Sequence, residues 1–290
     1  LAVLTGLAGA KVNLYLHVGP LGDDGYHPID SLMVFADFGD RLTLRPFRLK
    51  AYSVSGPFAG AAPMDARNLA VRSAQMLVER SGADAPGFHL HLEKVLPVSA
   101  GLGGGSADAA AALKLIDAAL GLDLGPQVLA EIGLSLGADV PACLKGAAVV
   151  ARGRGERLVP APLLPPLHAV LVNPMVPVST AAVFAAFDEL PPAAGLDPVA
   201  PPAFGSVQAL AQWLEAATRN DLEAPARAVS PLAGAAVDRL KQSPRAHLAR
   251  MSGSGATAFA LCADAADAVA LAAEVAASEP GWWCRACRLG

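Results

Sequence analysis

Residues 97 to 113 read PVSAGLGGGSADAAAAL: a proline, four glycines within five positions, then a run of alanines. Glycine loses more backbone freedom on folding than any other residue, so a cluster of it is costly to order. Such a cost is tolerated where the backbone itself must approach something closely. The alanine run is a strong helix former. Ahead of it, FHLHLEKVL (residues 88 to 96) alternates apolar and polar side chains as a strand does. The chain is thereby held to a strand, a glycine loop and a helix, in that order.

Four uses of that loop compete. A Walker A loop needs a lysine after the glycines, and none follows here. A dinucleotide fingerprint fits Gly101 and Gly103 but meets Ser106 at its third glycine, and no acidic residue ends a second strand about 20 positions on. A plain flexible turn is the bland alternative. The fourth is an anion cradle at a helix N-terminus. Pro97 stiffens the exit from the strand and the glycines let N–H groups point inward. Ser106 stands at the N-cap of a helix over 106–120, whose first turn has unpaired N–H groups and the positive end of the dipole. Phosphate suits such a place. Lys94, just upstream, is either a mobile cation for it or a surface lysine at the strand's end.

Charge sharpens this reading. The net charge of −4 lacks the basic excess of phosphate-backbone binders, so nucleic acid is not an expected partner. An anionic ligand must be held by a few placed cations and backbone N–H groups. With 53 % hydrophobic and 17 % charged residues the chain has ample material for a core. Alanine carries much of that hydrophobicity, and no run of about 18 strongly apolar residues offers a membrane span. The opening LAVLTGLAGAK is apolar but has no basic leading region, a layout that does not suit a signal peptide. Cys143, Cys262, Cys284 and Cys287 form no disulfide framework, which fits a reducing cytoplasm.

Strands and helices interleave along the whole chain, giving an α+β or α/β class. AKVNLYLHV (10 to 18) alternates as a half-buried strand, and LGDDGYHPI follows as a loop. Helices are expected over 68–80, 106–120 and 126–136. PAPLLPP (160 to 166) is a candidate linker and 191–205 a long loop. The last third reads helix, helix, strand, helix, strand.

Two charged residues interrupt uncharged surroundings. Lys11 lies in the first strand and Asp139 in LGADVPAC, before a proline. Taken alone, a strand lysine is usually a snorkelling surface group and an Asp before a short helix an N-cap. Phosphoryl transfer, however, requires a group to take the nucleophile's proton and positive charge near the transferred group.

AKVNLYL, DGYHPI, PVSAGLGGGSADAA, LGADVP, NDLE and MSGSGAT, in that order from Lys11 to Thr257, resemble the GHMP kinase superfamily. DGYH after KVNLYL narrows the likeness to members that phosphorylate the 2-hydroxyl of a cytidine-diphosphate-linked methylerythritol. The resemblance implies an α+β fold of two domains, ribosomal protein S5 domain 2-like over 1–158 and ferredoxin-like over 159–290, with the last strand free to pack on the first. It implies ATP and Mg²⁺ as cofactors, a small-molecule acceptor, and a cytoplasmic monomer or homodimer without membrane attachment. Asp139 matches the general base and Lys11 its catalytic partner. Pro97, Ser99, Ala100, Gly101, Leu102, Gly103, Gly104, Gly105 and Ser106 would wrap the ATP phosphates, with Ser106 on phosphate or Mg²⁺. Asn68 matches an adenine-pocket residue, and Lys94 joins the ATP site. Asn13, Tyr26, His27, Thr180 and Phe184 match acceptor-binding positions, Tyr26 and Phe184 flanking the base. Gly253 and Gly255 match a third loop that shapes the site. Gly9 replaces the family's usual proline before the Ala-Lys pair, and Ser99 replaces a smaller residue. The rivals are a GHMP kinase for homoserine or mevalonate, which have no base to stack, and a non-catalytic nucleotide-binding protein.

Three further signals point elsewhere. Cys284 and Cys287 have C-x-x-C spacing, but no second pair completes a zinc site and the segment reads as a strand. His89 and His91 share a strand face that reads as its solvated side. RGRGER (152 to 157) reads as a solvated turn.

Overall fold

The computed structural model describes residues 2–63, 65–82, 86–191, 196 and 198–290. In chain order its elements are β1 (Leu4–Val18), β2 (Ile29–Pro46), β3 (Ala51–Ser55), α1 (Leu69–Ser81), β4 (Phe88–Glu93), α2 (Gly104–Leu120), α3 (Pro126–Leu136) and α4 (Val140–Lys145). Then come β5 (Val149–Gly153), β6 (Arg157–Pro160), β7 (Leu167–Asn173), α5 (Thr180–Asp188), α6 (Val207–Ala217), α7 (Glu223–Val229) and α8 (Ala235–Lys241). The chain ends with β8 (Leu248–Met251), β9 (Ala258–Cys262), α9 (Ala265–Ser278) and β10 (Trp283–Leu289). Parts of the expected 191–205 loop, residues 192–195 and 197, lie outside the described residues.

Two compact units emerge, and they interleave in sequence. The first comprises Leu1–Ala10, Phe38–Val98 and Gly103–Gly146; the second Lys11–Asp37, Ser99–Leu102 and Ala147–Gly290. The strands β1 and β2 are long enough to contribute residues to both.

In the first unit β3 runs parallel to β4, and β4 antiparallel to β2 from Arg41↔Glu93 to Pro46↔Phe88. Period-2 alternation buries Phe88, Leu90 and Leu92 and turns His89, His91 and Glu93 to the other face. That face is not merely solvated: Ser53 Oγ joins His89 Nε2 and His91 Nδ1 at 2.7 Å each, and Arg45 Nε donates to His89 Nδ1 at 3.0 Å. The expected strand over 88–96 stops at Glu93: the Lys94 N–H makes a last bond to Ser55 C=O, and the amides after it leave the ladder. Val95 and Leu96 N–H both donate to Asp40 Oδ1. Helix α1 packs on α2. The small side chains of Ala107 and Ala109–Ala112 let a neighbouring backbone come close while burying most of the helix circumference.

In the second unit β10, β7, β9 and β8 form an antiparallel sheet, and β10 reaches β2 at Leu289↔Ala36. Beside it, β2 pairs with β5 and β5 with β6. Val170 and Val172 of β7, Leu271 and Val275 of α9, and Val237 and Leu240 of α8 share one core with Leu16 and Val18 of β1. Each such side chain contributes roughly 1.5–3 kcal/mol on burial. Residues 10–18 are buried on both faces rather than one. Lys11, Asn13 and His17 are therefore interior groups, and Lys11 is not a snorkelling surface lysine.

Candidate active site

The glycine loop takes its shape from alternate residues. Ser99, Gly101 and Gly103 have φ of 54°, 76° and 61°, in the left-handed region, and Ser99 is the one side chain that bears this conformation among them. Backbone that alternates in this way turns successive N–H groups to one side, forming an anion-binding concavity. Helix α2 starts at Gly104 with Gly103 as its N-cap and no side-chain cap. Ser106 is thus not the N-cap but the third helical residue, because the left-handed glycine starts the helix two residues early. Asp139 precedes α4 at its N-cap position, yet its side chain makes no cap hydrogen bond to that helix.

Four more predicted residues lie in the first unit. Asn68 caps α1, its Oδ1 accepting the Ala70 N–H at 3.0 Å and its Nδ2 donating to Pro63 C=O at 3.0 Å. Pro97 is buried and Gly105 exposed. Lys94 requires a correction: it is no mobile cation. The residue is 5 % exposed, and its ammonium lies between Asp40 Oδ2 at 2.5 Å and Asp108 Oδ2 at 2.7 Å. Burial pulls the Lys94 pKa down, but the two carboxylates outweigh it and the net direction is up. Burial pushes the Asp108 carboxyl up to about 7 against the pull of Lys94. Gly104 packs on this trio, since a Cβ there would stand 3.2 Å from Lys94 Nζ. The cluster thus ties the strand entering the loop to the helix leaving it.

The second unit gathers the rest. Lys11 Nζ donates to Asn13 Oδ1 at 2.6 Å, and Asn13 Nδ2 donates to Ser31 Oγ at 2.8 Å. Ala100 C=O accepts the Thr257 N–H and Leu102 C=O the Lys11 N–H, so the loop is bonded to β1 and to the 252–257 segment. Gly253 and Gly255 both have positive φ in that segment, between β8 and β9. His27 donates from Nδ1 to Gly19 C=O at 2.9 Å, while its Nε2 stands 3.2 Å from Asp188 Oδ1. Its ring stacks on Phe184, with centroids 5.2 Å apart, and meets Phe187 edge-on. Tyr26 is exposed, and its ring lies 4.2 Å beneath the Arg154 guanidinium, which also pairs with Asp24. Residues 154–156 form a turn with Arg154 and Arg157 exposed, and just before it Arg152 bonds to Asp30. Thr180 Oγ1 lies 2.9 Å from Ser254 Oγ.

Several residues of this site carried no role in the sequence reading. Asn220, in the NDLE stretch, donates from Nδ2 to Met251 C=O and Gly253 C=O and so holds the third glycine loop. Asp108 had a signal, as an acid within an alanine helix; Asp40 and Asp188 had none. Among the described residues no three His, Cys, Asp or Glu groups cluster to hold a metal, the four cysteines are free, and no helix is long and apolar enough to cross a membrane.

Comparison with known proteins bears on this geometry. Residues 68–147 match the family "GHMP kinases N terminal domain" and residues 202–280 match "GHMP kinases C terminal". The chain is 51 % identical over 288 residues to the 4-diphosphocytidyl-2-C-methyl-D-erythritol kinase of Caulobacter vibrioides (strain NA1000 / CB15N), covering 99 % of each chain. It is 48 % identical over 290 residues to the protein of the same name from Methylobacterium radiotolerans, covering 98 % of each. A crystal structure of 4-(cytidine 5'-diphospho)-2C-methyl-D-erythritol kinase superposes with a TM-score of 0.79 at 33 % identity over 99 % of both chains. A homoserine kinase from Cytophaga hutchinsonii, at 22 % identity over 99 % of this chain and 95 % of that one, shares the fold with a TM-score of 0.71.

Proposed function

The chain belongs to the GHMP kinases and, within them, to the 4-diphosphocytidyl-2-C-methyl-D-erythritol kinases, and on that premise we propose how its own residues carry the reaction. The reaction is ATP-dependent phosphorylation of the acceptor's 2-hydroxyl, giving the 2-phosphate and ADP, a step of non-mevalonate isoprenoid precursor biosynthesis. Residues 1–158 carry the ATP-binding sequence and 159–290 the C-terminal part.

Asp139 takes the hydroxyl proton as attack proceeds, and Lys11 is its catalytic partner, orienting the hydroxyl. Residues 97–106 wrap the phosphates, and the N–H groups from Val98 to Ser106 stabilise the charge that spreads over the transferred group. Asn68 lines the adenine pocket. Lys94 acts on the phosphates through the loop it anchors. Tyr26 and Phe184 offer flat faces to cytosine, His27 its hydrogen bonds, and Asn13 and Thr180 complete the acceptor side. The Ser106 hydroxyl, in the first turn of α2, is a hard oxygen that would hold a Mg²⁺ ion bound with ATP, and that ion would supply charge neutralisation at the phosphates. The enzyme works in the cytoplasm as a monomer or homodimer on a small molecule.

The observation that supports these roles most directly is the left-handed backbone at Ser99, Gly101 and Gly103 immediately ahead of α2. The test is ADP release from MgATP with 4-diphosphocytidyl-2-C-methyl-D-erythritol, homoserine or mevalonate, for wild type and Asp139→Ala. Turnover is expected with the cytidine compound alone and falls by about 10² or more in the variant. Turnover with another acceptor discards the substrate. Tight ATP binding without any turnover points to a nucleotide-binding protein.

A further inference from the structure

Three segments far apart in sequence meet at one hydroxyl in the second unit. Ser252, the residue after β8, is fully buried. Its Oγ donates to Gly101 C=O at 3.0 Å and accepts the Asn13 N–H at 3.2 Å. It therefore touches both the strand that carries Lys11 and the glycine loop. That hydroxyl is itself held. Ser252 N–H donates to Thr257 C=O at 2.9 Å, and Asn220 grips the carbonyls of Met251 and Gly253 on either side. Gly101 is pressed against the same backbone, where a Cβ would collide with the Ser252 and Gly255 main chain.

We propose that Ser252 is a positioning residue for phosphoryl transfer. It fixes the register between Lys11 and the phosphate loop through the Asn13 N–H and the Gly101 carbonyl, and it touches neither substrate. This rests on the phosphoryl-transfer assignment above. Without the hydroxyl, the Gly101 carbonyl has no donor from Ser252, and the peptide that follows it can turn away from the phosphates. A misplacement of about 1 Å in such a site costs on the order of 10²-fold in rate.

The experiment compares wild type, Ser252→Ala and Ser252→Cys in the full chain, with MgATP and 4-diphosphocytidyl-2-C-methyl-D-erythritol. Single-turnover rates are taken per folded protein, alongside the KM of each substrate and the ratio of ADP released to acceptor phosphorylated. Ser252→Ala is expected to lower the single-turnover rate by about 10- to 100-fold. The acceptor KM should stay within about threefold, and the ADP ratio should rise above one as misaligned phosphate is lost to water. A rate within about twofold of wild type overturns the proposal. So does a loss matched by loss of folded protein with the ADP ratio unchanged, which is what a merely structural serine gives. If Ser252→Ala does not fold, Ser252→Cys carries the same comparison, since it nearly preserves the shape with a much weaker donor. Wild-type turnover in the same assay separates the two claims. If wild type is active and both variants match it, the Ser252 proposal alone fails. If wild type is inactive, the acceptor assignment fails and the proposal with it.

Discussion

The Lys11 ammonium and the Asn13 carboxamide oxygen are 2.6 Å apart, on one face of β1. The amide's other end donates to Ser31 Oγ, whose own proton goes to Tyr15 C=O at 2.6 Å. The direction of every bond in this chain is therefore fixed, and Asn13 turns its oxygen toward Lys11.

Lys11→Met is expected to lower kcat by about 10² or more. Asn13→Ala, which keeps the ammonium but removes this partner, is expected to lower it by about tenfold. Steady-state kinetics beside circular dichroism checks both. Equal activity for Lys11→Met and wild type would exclude Lys11 from the chemistry.

Gly101 and Gly105 are four residues apart and should respond differently to alanine. At Gly101, φ is 76° and a Cβ meets backbone, so Gly101→Ala should cost about 1–3 kcal/mol in a urea melt. At Gly105 a Cβ lies 3.8 Å from Leu69 Cδ1, an ordinary contact within a helix. Gly105→Ala should keep or raise stability by up to about 1 kcal/mol while raising the KM for ATP.

Lys94→Met leaves Asp40 and Asp108 facing each other without a cation in the interior. Removing one partner of a buried ion pair costs about 3–5 kcal/mol. Chemical denaturation should show a loss of that size. A melt unchanged from wild type would contradict the buried trio.

His17 gives a pH dependence with a definite sign. Burial first, and the Arg219 charge second, hold its imidazole below the ordinary histidine range, and its Nε2 accepts the Arg219 N–H at 3.2 Å. Folding therefore selects neutral His17. The stability this contributes is complete above the unfolded value of about 6.5 and is lost as pH falls through the lowered folded value. Melting temperatures from about pH 7 to 5 should fall more steeply for wild type than for His17→Gln. Parallel curves would remove His17 from the acid response.

The glycine loop, its strand and its helix were legible in sequence because their causes are local. Alternation at 88–93 makes a strand, alanines make α2, and glycines accept the positive φ at 101 and 103. The order of the motifs carried the family, and with it the reaction. Long-range facts were not legible. Nothing in AKVNLYLHV says that both faces are buried, because burial depends on the core that forms around Leu16 and Val18 from β7, α8 and α9. Lys94 looked free because Asp40 lies 54 positions away, and a carboxylate's reach depends on how β2 and β4 pair.

By itself, then, the sequence determined the elements, the glycine loop ahead of α2 and the kind of chemistry, since each follows from backbone preference, side-chain type and motif order. Tertiary structure alone decided which charged groups are committed. It set Lys94 between two acids, Arg154 over Tyr26, and Ser252 between Gly101 and Asn13. The reason is physical. A buried polar group must find its partner wherever the fold brings one, and distance along the chain plays no part in that choice.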